Sequence, residues 1–112
     1  MGTTKSELFS KDQNDLAFIA KALGHPARIA IIQHLLKENT CINSDLVQEL
    51  GLAQATVSQH LRELKDADII QGTIEGAKIC YCINLVRWEL IKHQFKQFFN
   101  RFPGPSTSKC CP

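Results

Sequence analysis

At 112 residues and 44% hydrophobic content, the chain has room for one domain around a modest core and needs a partner to bury more. It carries no apolar run of about 18 residues and its first seven residues are polar, which argues against a membrane-spanning helix and a secretory leader and sets the expected location as cytoplasmic. A net charge of +2 is slight support for a nucleic-acid partner, and five cysteines without a framework of spaced pairs read as reduced thiols rather than structural bridges.

Residues 12–23 read as a helix with Leu16, Ile19, Ala20 and Leu23 on one face, closed by Gly24. Pro26 suits a first helical position because its backbone angle is already fixed, and a helix over 26–37 is expected to bury Ile29, Ile32, Leu35 and Leu36. A short helix over 45–50 follows, with Ser44 as N-cap and Leu46, Val47 and Leu50 as its apolar residues. Gly51 ends it, since a glycine just past a helix takes the left-handed corner at little steric cost. In the next helix, 54–67, Val57, Leu61 and Leu64 fall in one narrow arc. Ala55, Gln59, Arg62 and Asp66 point the opposite way, with Thr56 and Ser58 flanking that outer face near its start. Two β-branched stretches, 69–74 and 77–83, then flank Glu75-Gly76, which has the chemistry of a tight hairpin turn.

The last helix, 85–102, carries Trp88, Ile91, Phe95, Phe98, Phe99 and Phe102 at spacings of three and four. That is too much aromatic surface for the outermost helix of a small monomer to leave wet. Part of the stripe must serve the intrachain core; the rest, with Leu16 and Ile19, is expected to form the seam of a homodimer. Residues 103–112 have the composition of a flexible connection and end in Cys110-Cys111.

Helix, tight turn, helix and hairpin in that order make a mainly α chain with a β-hairpin wing, a winged helix-turn-helix, with dimerisation helices (12–23 and 85–102) at both ends of a 1–102 domain and a cysteine-bearing tail over 103–112. That architecture lays its second helix in a DNA groove. Any surface helix has a polar outer face; here the turn before it and the hairpin after it give that face its meaning. Gln59 suits a bidentate contact to adenine, Arg62 to guanine or phosphate, and Thr56 and Ser58 to bases or phosphate oxygens. Lys78, near the tip of the wing, can reach phosphate or the minor groove. The reading segment is not basic, because Arg62, Lys65 and Lys78 are outnumbered by Glu63, Asp66, Asp68 and Glu75. Affinity is therefore expected to rest on two half-sites and to fall steeply with salt.

The stretches Ala22-Leu23-Gly24-His25-Pro26-Ala27-Arg28-Ile29 and Leu52-Ala53-Gln54-Ala55-Thr56-Val57-Ser58-Gln59-His60-Leu61, with the Glu75-Gly76 wing ending in Cys80-Tyr81-Cys82-Ile83, resemble the ArsR/SmtB family of bacterial repressors over about residues 12–102. The resemblance implies a homodimer that sits on double-stranded operator DNA and leaves when a metal or metalloid binds. It adds Gln54 and His60 to the DNA-binding set, although His60 lies close enough to the core arc to pack instead. Ala53 departs from the family pattern, in which a serine there caps the recognition helix. The family's zinc-type interface site needs Asp and His pairs along the last helix. Here that helix offers only His93 and Glu89, while His25, His34 and His60 sit in three other segments without the spacing of a shared site.

The sensing chemistry is expected at Cys110 and Cys111. Adjacent thiols do not easily close an unstrained disulfide on each other, but they can converge on a thiophilic ion such as arsenite, antimonite or a methylated arsenical. Cys41 is the candidate third sulfur. It precedes the first DNA-reading helix, where relatives often carry a Cys-x-Cys pair; Asn43 stands here in place of the second cysteine. Eight residues from Phe102 to Cys110 extend to about 26 Å, enough to cross a small domain. Cys80 and Cys82 share one face of a strand and form a possible second thiol pair, though such residues are more often inert. No obligatory cofactor is implied. An enzyme is not expected, since Cys-x-x-Cys, a phosphate-binding glycine loop and a nucleophile with its base are all missing. The alternatives are a thiol-redox-responsive winged-helix regulator and a zinc-type sensor of the same family.

Overall fold

The computed structural model describes residues 6–38, 46–75 and 78–101. After a 3-10 turn at Ser6–Leu8, the described chain runs α1 (Lys11–Leu23), α2 (Pro26–Glu38), α3 (Leu46–Leu50), α4 (Gln54–Asp66), β1 (Ile70–Glu75), β2 (Lys78–Ile83) and α5 (Leu85–Phe99). This is the winged helix-turn-helix order. None of its helices is long and apolar enough to cross a membrane.

Helix α1 starts one residue earlier than expected because Ser10 and Gln13 form a reciprocal cap. The Gln13 amide donates to Ser10 Oγ at 3.0 Å, and the Ser10 amide donates to Gln13 Oε1 at 2.9 Å. Its buried residues are Ile19 and Ala22, whereas Ala20 is exposed. At 0% exposure Ile19 belongs to the intrachain core, which removes it from the expected dimer seam.

His25 starts α2. Its Nδ1 accepts the Ala27 amide at 3.0 Å and its carbonyl accepts the amides of Arg28 and Ile29, while Pro26 takes the first helical position as expected. Ile31, Ile32 and Leu35 are buried, and Ile29 and Leu36 lie at the surface. The buried face is thus turned part of a step from the predicted one, because α2 is apolar nearly all round and periodicity alone cannot choose its inner side.

Gly51 makes the corner between α3 and α4 at φ +68°, its amide donating to the Val47 carbonyl at 3.0 Å. Helix α4 packs Val57, Leu61 and Leu64 inward, against Ile19, Ile31 and Leu35 of the shared core. The wing follows through Asp68, in the left-handed region at φ 62°. Strands β1 and β2 pair antiparallel from Ile70 opposite Ile83 to Glu75 opposite Lys78, and Gly76 of the expected Glu75-Gly76 turn lies outside the described residues. Gly72 is required: a Cβ there would sit 1.9 Å from the Cys80 carbonyl oxygen. Tyr81 and Ile83 point from β2 into the core.

Asn84 caps α5, its side-chain oxygen accepting the Arg87 amide at 3.2 Å. Ile91 is buried and Trp88 and Phe95 pack partly on the core, but Phe98 and Phe99 remain 53% and 67% exposed. The aromatic stripe therefore divides as expected between core and surface. Phe102 lies outside the described residues, and α5 ends at Phe99.

Candidate nucleic-acid interface

Helix α4 presents Gln54, Thr56, Gln59 and Arg62 to solvent, with Ser58 half-buried beside them. The left-handed Gly51 corner precedes this helix and the hairpin follows it, while its opposite side carries the buried Val57, Leu61 and Leu64. Within the row the polar groups bind one another. Arg62 Nη1 donates to Gln59 Oε1 at 3.4 Å, Gln59 Nε2 donates to Glu63 Oε2 at 3.1 Å, and Gln54 Nε2 donates to Ser58 Oγ at 3.4 Å. Such exposed pairs one turn apart are worth about 0.2–0.5 kcal/mol each, so a base edge can displace them readily.

The helix start is uncapped. Ala53 has the extended backbone of an N-cap, φ −65° and ψ 150°, but no side-chain oxygen to accept an amide. At the hairpin end Lys78 pairs with Glu75 in the backbone register; its side chain lies outside the described residues.

His60 is corrected from the expected DNA-contact set. It is 7% exposed and faces inward, because Arg28, 32 residues earlier, donates from Nε to its Nδ1 at 3.1 Å. Arg28 also donates from Nη1 to the Ala22 carbonyl at 3.1 Å, and the His25 ring lies 4.4 Å from the His60 ring, tilted by 49°. The two histidines that looked unrelated in sequence are neighbours. Burial first, then the charges of His25 and Arg28, hold the His60 imidazole below its usual range, with Glu63 pulling the other way.

Beneath the wing Tyr81 is 1% exposed, and its hydroxyl has no hydrogen-bond partner among the described residues. Burial pushes that hydroxyl up, while Arg62 acts in the opposite sense. Cys80 and Cys82 flank Tyr81 on the opposite side of β2; both are free thiols and half-buried, and Gln71 Nε2 lies 3.9 Å from Cys82 Sγ. Cys41, Cys110 and Cys111 lie outside the described residues. On α5, Glu89 is paired with Lys92 at 3.2 Å, and among the described residues no three His, Cys, Asp or Glu side chains cluster as a metal site. An open groove between α1 and α5 is lined by Asp12, Leu16, His93, Gln97, Phe98 and Arg101.

Residues 25–71 match the family model described as bacterial regulatory protein, arsR family. The transcriptional repressor PagR of Bacillus anthracis is 34% identical over 70 residues, 62% of this chain and 70% of that protein. This chain belongs to the arsR family. The crystal structure of PagR superposes with a TM-score of 0.57 at 30% identity, covering 77% of this chain and 94% of that one. The repressor SmtB of Mycobacterium tuberculosis is 38% identical over 63 residues, 56% of this chain and 46% of that protein, so the match spans less than half of that relative's length. NolR from Sinorhizobium fredii shares the fold, with a TM-score of 0.61 over 88% of this chain and 96% of its own at 19% identity. Both PagR and SmtB are named as transcriptional repressors.

Proposed function

We propose that this arsR-family protein is a homodimeric transcriptional repressor that binds double-stranded operator DNA through α4 and leaves it when a trivalent arsenical or antimonial is taken up by Cys41, Cys110 and Cys111. The DNA-reading part rests on one observation. Gln54, Thr56, Gln59 and Arg62 are all exposed on α4, the helix that follows the Gly51 corner. Dimerisation is supported by the apolar surface left on α5, where Val86, Leu90, Phe98 and Phe99 are all exposed. Two copies double the phosphate contacts of a reading segment that is itself short of cations.

The effector reading rests on the sulfur chemistry of the sequence. Three thiolates suit a soft trivalent ion, and linking the tail to Cys41, ahead of α3, would pull on the helix-turn-helix unit. Coupling of about 1–3 kcal/mol would lower operator affinity about 5- to 150-fold. Operator gel shifts under reducing conditions with arsenite, methylarsenite, antimonite and zinc, repeated with Cys41→Ser and Cys110→Ser, test it. Release by arsenite or antimonite that disappears in both variants is expected. Release by zinc alone, by peroxide alone, or undiminished in both variants would overturn the effector assignment, and failure to bind any operator would overturn the repressor reading itself.

A further inference from the structure

Two histidines and an arginine join the end of α1, the start of α2 and the middle of α4. His60 accepts from Arg28 through Nδ1, which makes it the neutral tautomer with its proton on Nε2. His25 Nδ1 also accepts, from the Ala27 amide at the α2 cap. A metal ion on either Nε2 would require a proton on Nδ1, where a donor already points, so this pair is not arranged as a ligand set. It is arranged to hold α4 in place.

We propose that Arg28 and His25 are positioning residues for DNA recognition: acting through neutral His60 they fix the rotation of α4 about its axis, and a proton taken up by His60 releases that hold and weakens operator binding. Rotation matters because Gln59 is the adjacent residue and Arg62 lies two further on, so any roll of α4 at His60 carries the reading row with it. Protonated His60 has a donor on each nitrogen. Its Nδ1–H would then confront the Arg28 Nε–H across 3.1 Å, donor against donor and charge against charge. Arg28 cannot yield by losing its own proton and is anchored by the Ala22 carbonyl, so α4 moves instead.

The groups around His60 are His25 and Arg28 from the α2 start and Glu63 on α4 itself, while α1 reaches it through the Ala22 carbonyl held by Arg28. Burial, His25 and Arg28 all favour the neutral ring and outweigh Glu63. Because the folded protein holds His60 below its free value of 6.5, the unfolded chain binds the extra proton first as pH falls. The stabilisation is complete above that value and is lost as pH drops toward the folded one. This direction is diagnostic. Proton uptake adds positive charge, which by attraction to phosphate alone would tighten DNA binding.

The inference rests on the operator-binding reading, and the experiment separates the two. Operator affinity is measured by fluorescence anisotropy from about pH 8 to about pH 5 at fixed salt, for the wild type and His60→Asn, whose amide oxygen can accept from Arg28 without titrating. The His60 ring is followed by NMR in the DNA-free protein over the same range. Wild-type affinity is expected to fall about 5-fold or more on acidification while His60→Asn stays flat or tightens, and the ring is expected to titrate below free histidine. Wild-type affinity that holds or rises, a variant that loses affinity in parallel with the wild type, or a ring that titrates at or above free histidine would each overturn the latch. Should His60→Asn not fold, the wild-type affinity profile and the NMR titration decide alone. Absence of operator binding at about pH 8 would instead sink the repressor reading, and the DNA-free titration would still report on the latch.

Discussion

Replacing Ala53 by serine should stabilise the protein by about 1 kcal/mol. The chain contains its own reference for the effect. Ser10, at φ −70° and ψ 163°, accepts the amide three residues on at 3.0 Å, and Ala53 has nearly the same backbone, φ −65° and ψ 150°, with no oxygen to offer. A serine side chain at position 53 can therefore reach the Thr56 amide without moving the main chain. Ala53 is exposed, so the hydroxyl displaces no packed group. Exchanges between serine and alanine at such positions are worth about 0.5–2 kcal/mol, and for a domain of this size about 1 kcal/mol corresponds to a rise of about 4 °C or more in Tm. Thermal unfolding at one fixed protein concentration, with Ser10→Ala as the mirror-image control, measures it. An unchanged or lower Tm for Ala53→Ser, alongside a lowered Tm for Ser10→Ala, would refute the claim that the α4 start lacks only a cap oxygen.

Gly72→Ala should cost more than the about 1–3 kcal/mol of backbone strain alone, because its Cβ would overlap the Cys80 carbonyl oxygen; urea unfolding would show it as a large drop in midpoint. Tyr81→Phe should leave stability unchanged or raise it by about 1 kcal/mol, since the hydroxyl it removes is buried without a partner among the described residues, and a loss of several kcal/mol in the same assay would show that the hydroxyl is engaged. Phe98→Glu combined with Phe99→Glu should leave the fold intact by circular dichroism and shift sedimentation from dimer to monomer; a wild type that sediments as a monomer would remove the need for the seam.

The helix-turn-helix and wing were legible because their signals are local. A narrow apolar arc marked the inner face of α4, Gly51 marked the corner, and two β-branched stretches marked the hairpin. Only their ends moved. The α1 cap was equally local, written as Ser10 followed three residues later by Gln13, but the apolar stripe drew the start to Asp12 instead. On α2 five large aliphatic residues from Ile29 to Leu36 satisfy more than one inner face, and contact with α4 and β2 decides between them. His60 lies at the edge of the α4 core arc, where periodicity allows either packing or contact, and its bond to Arg28, 32 residues away in sequence, goes with the inward position. Of the expected reading row, Gln54, Thr56, Gln59 and Arg62 are exposed, since an outward position needs only the helix phase to be right.

The chain of contacts from Arg62 through Gln59 to Glu63 has a consequence for how such a protein searches a chromosome. On the proposed operator reading, Glu63, linked to Arg62 only through Gln59, sets a negative charge on the same turn of α4 and would blunt the pull of that guanidinium on a passing phosphate. Under that proposal, wandering along random duplex would stay fast.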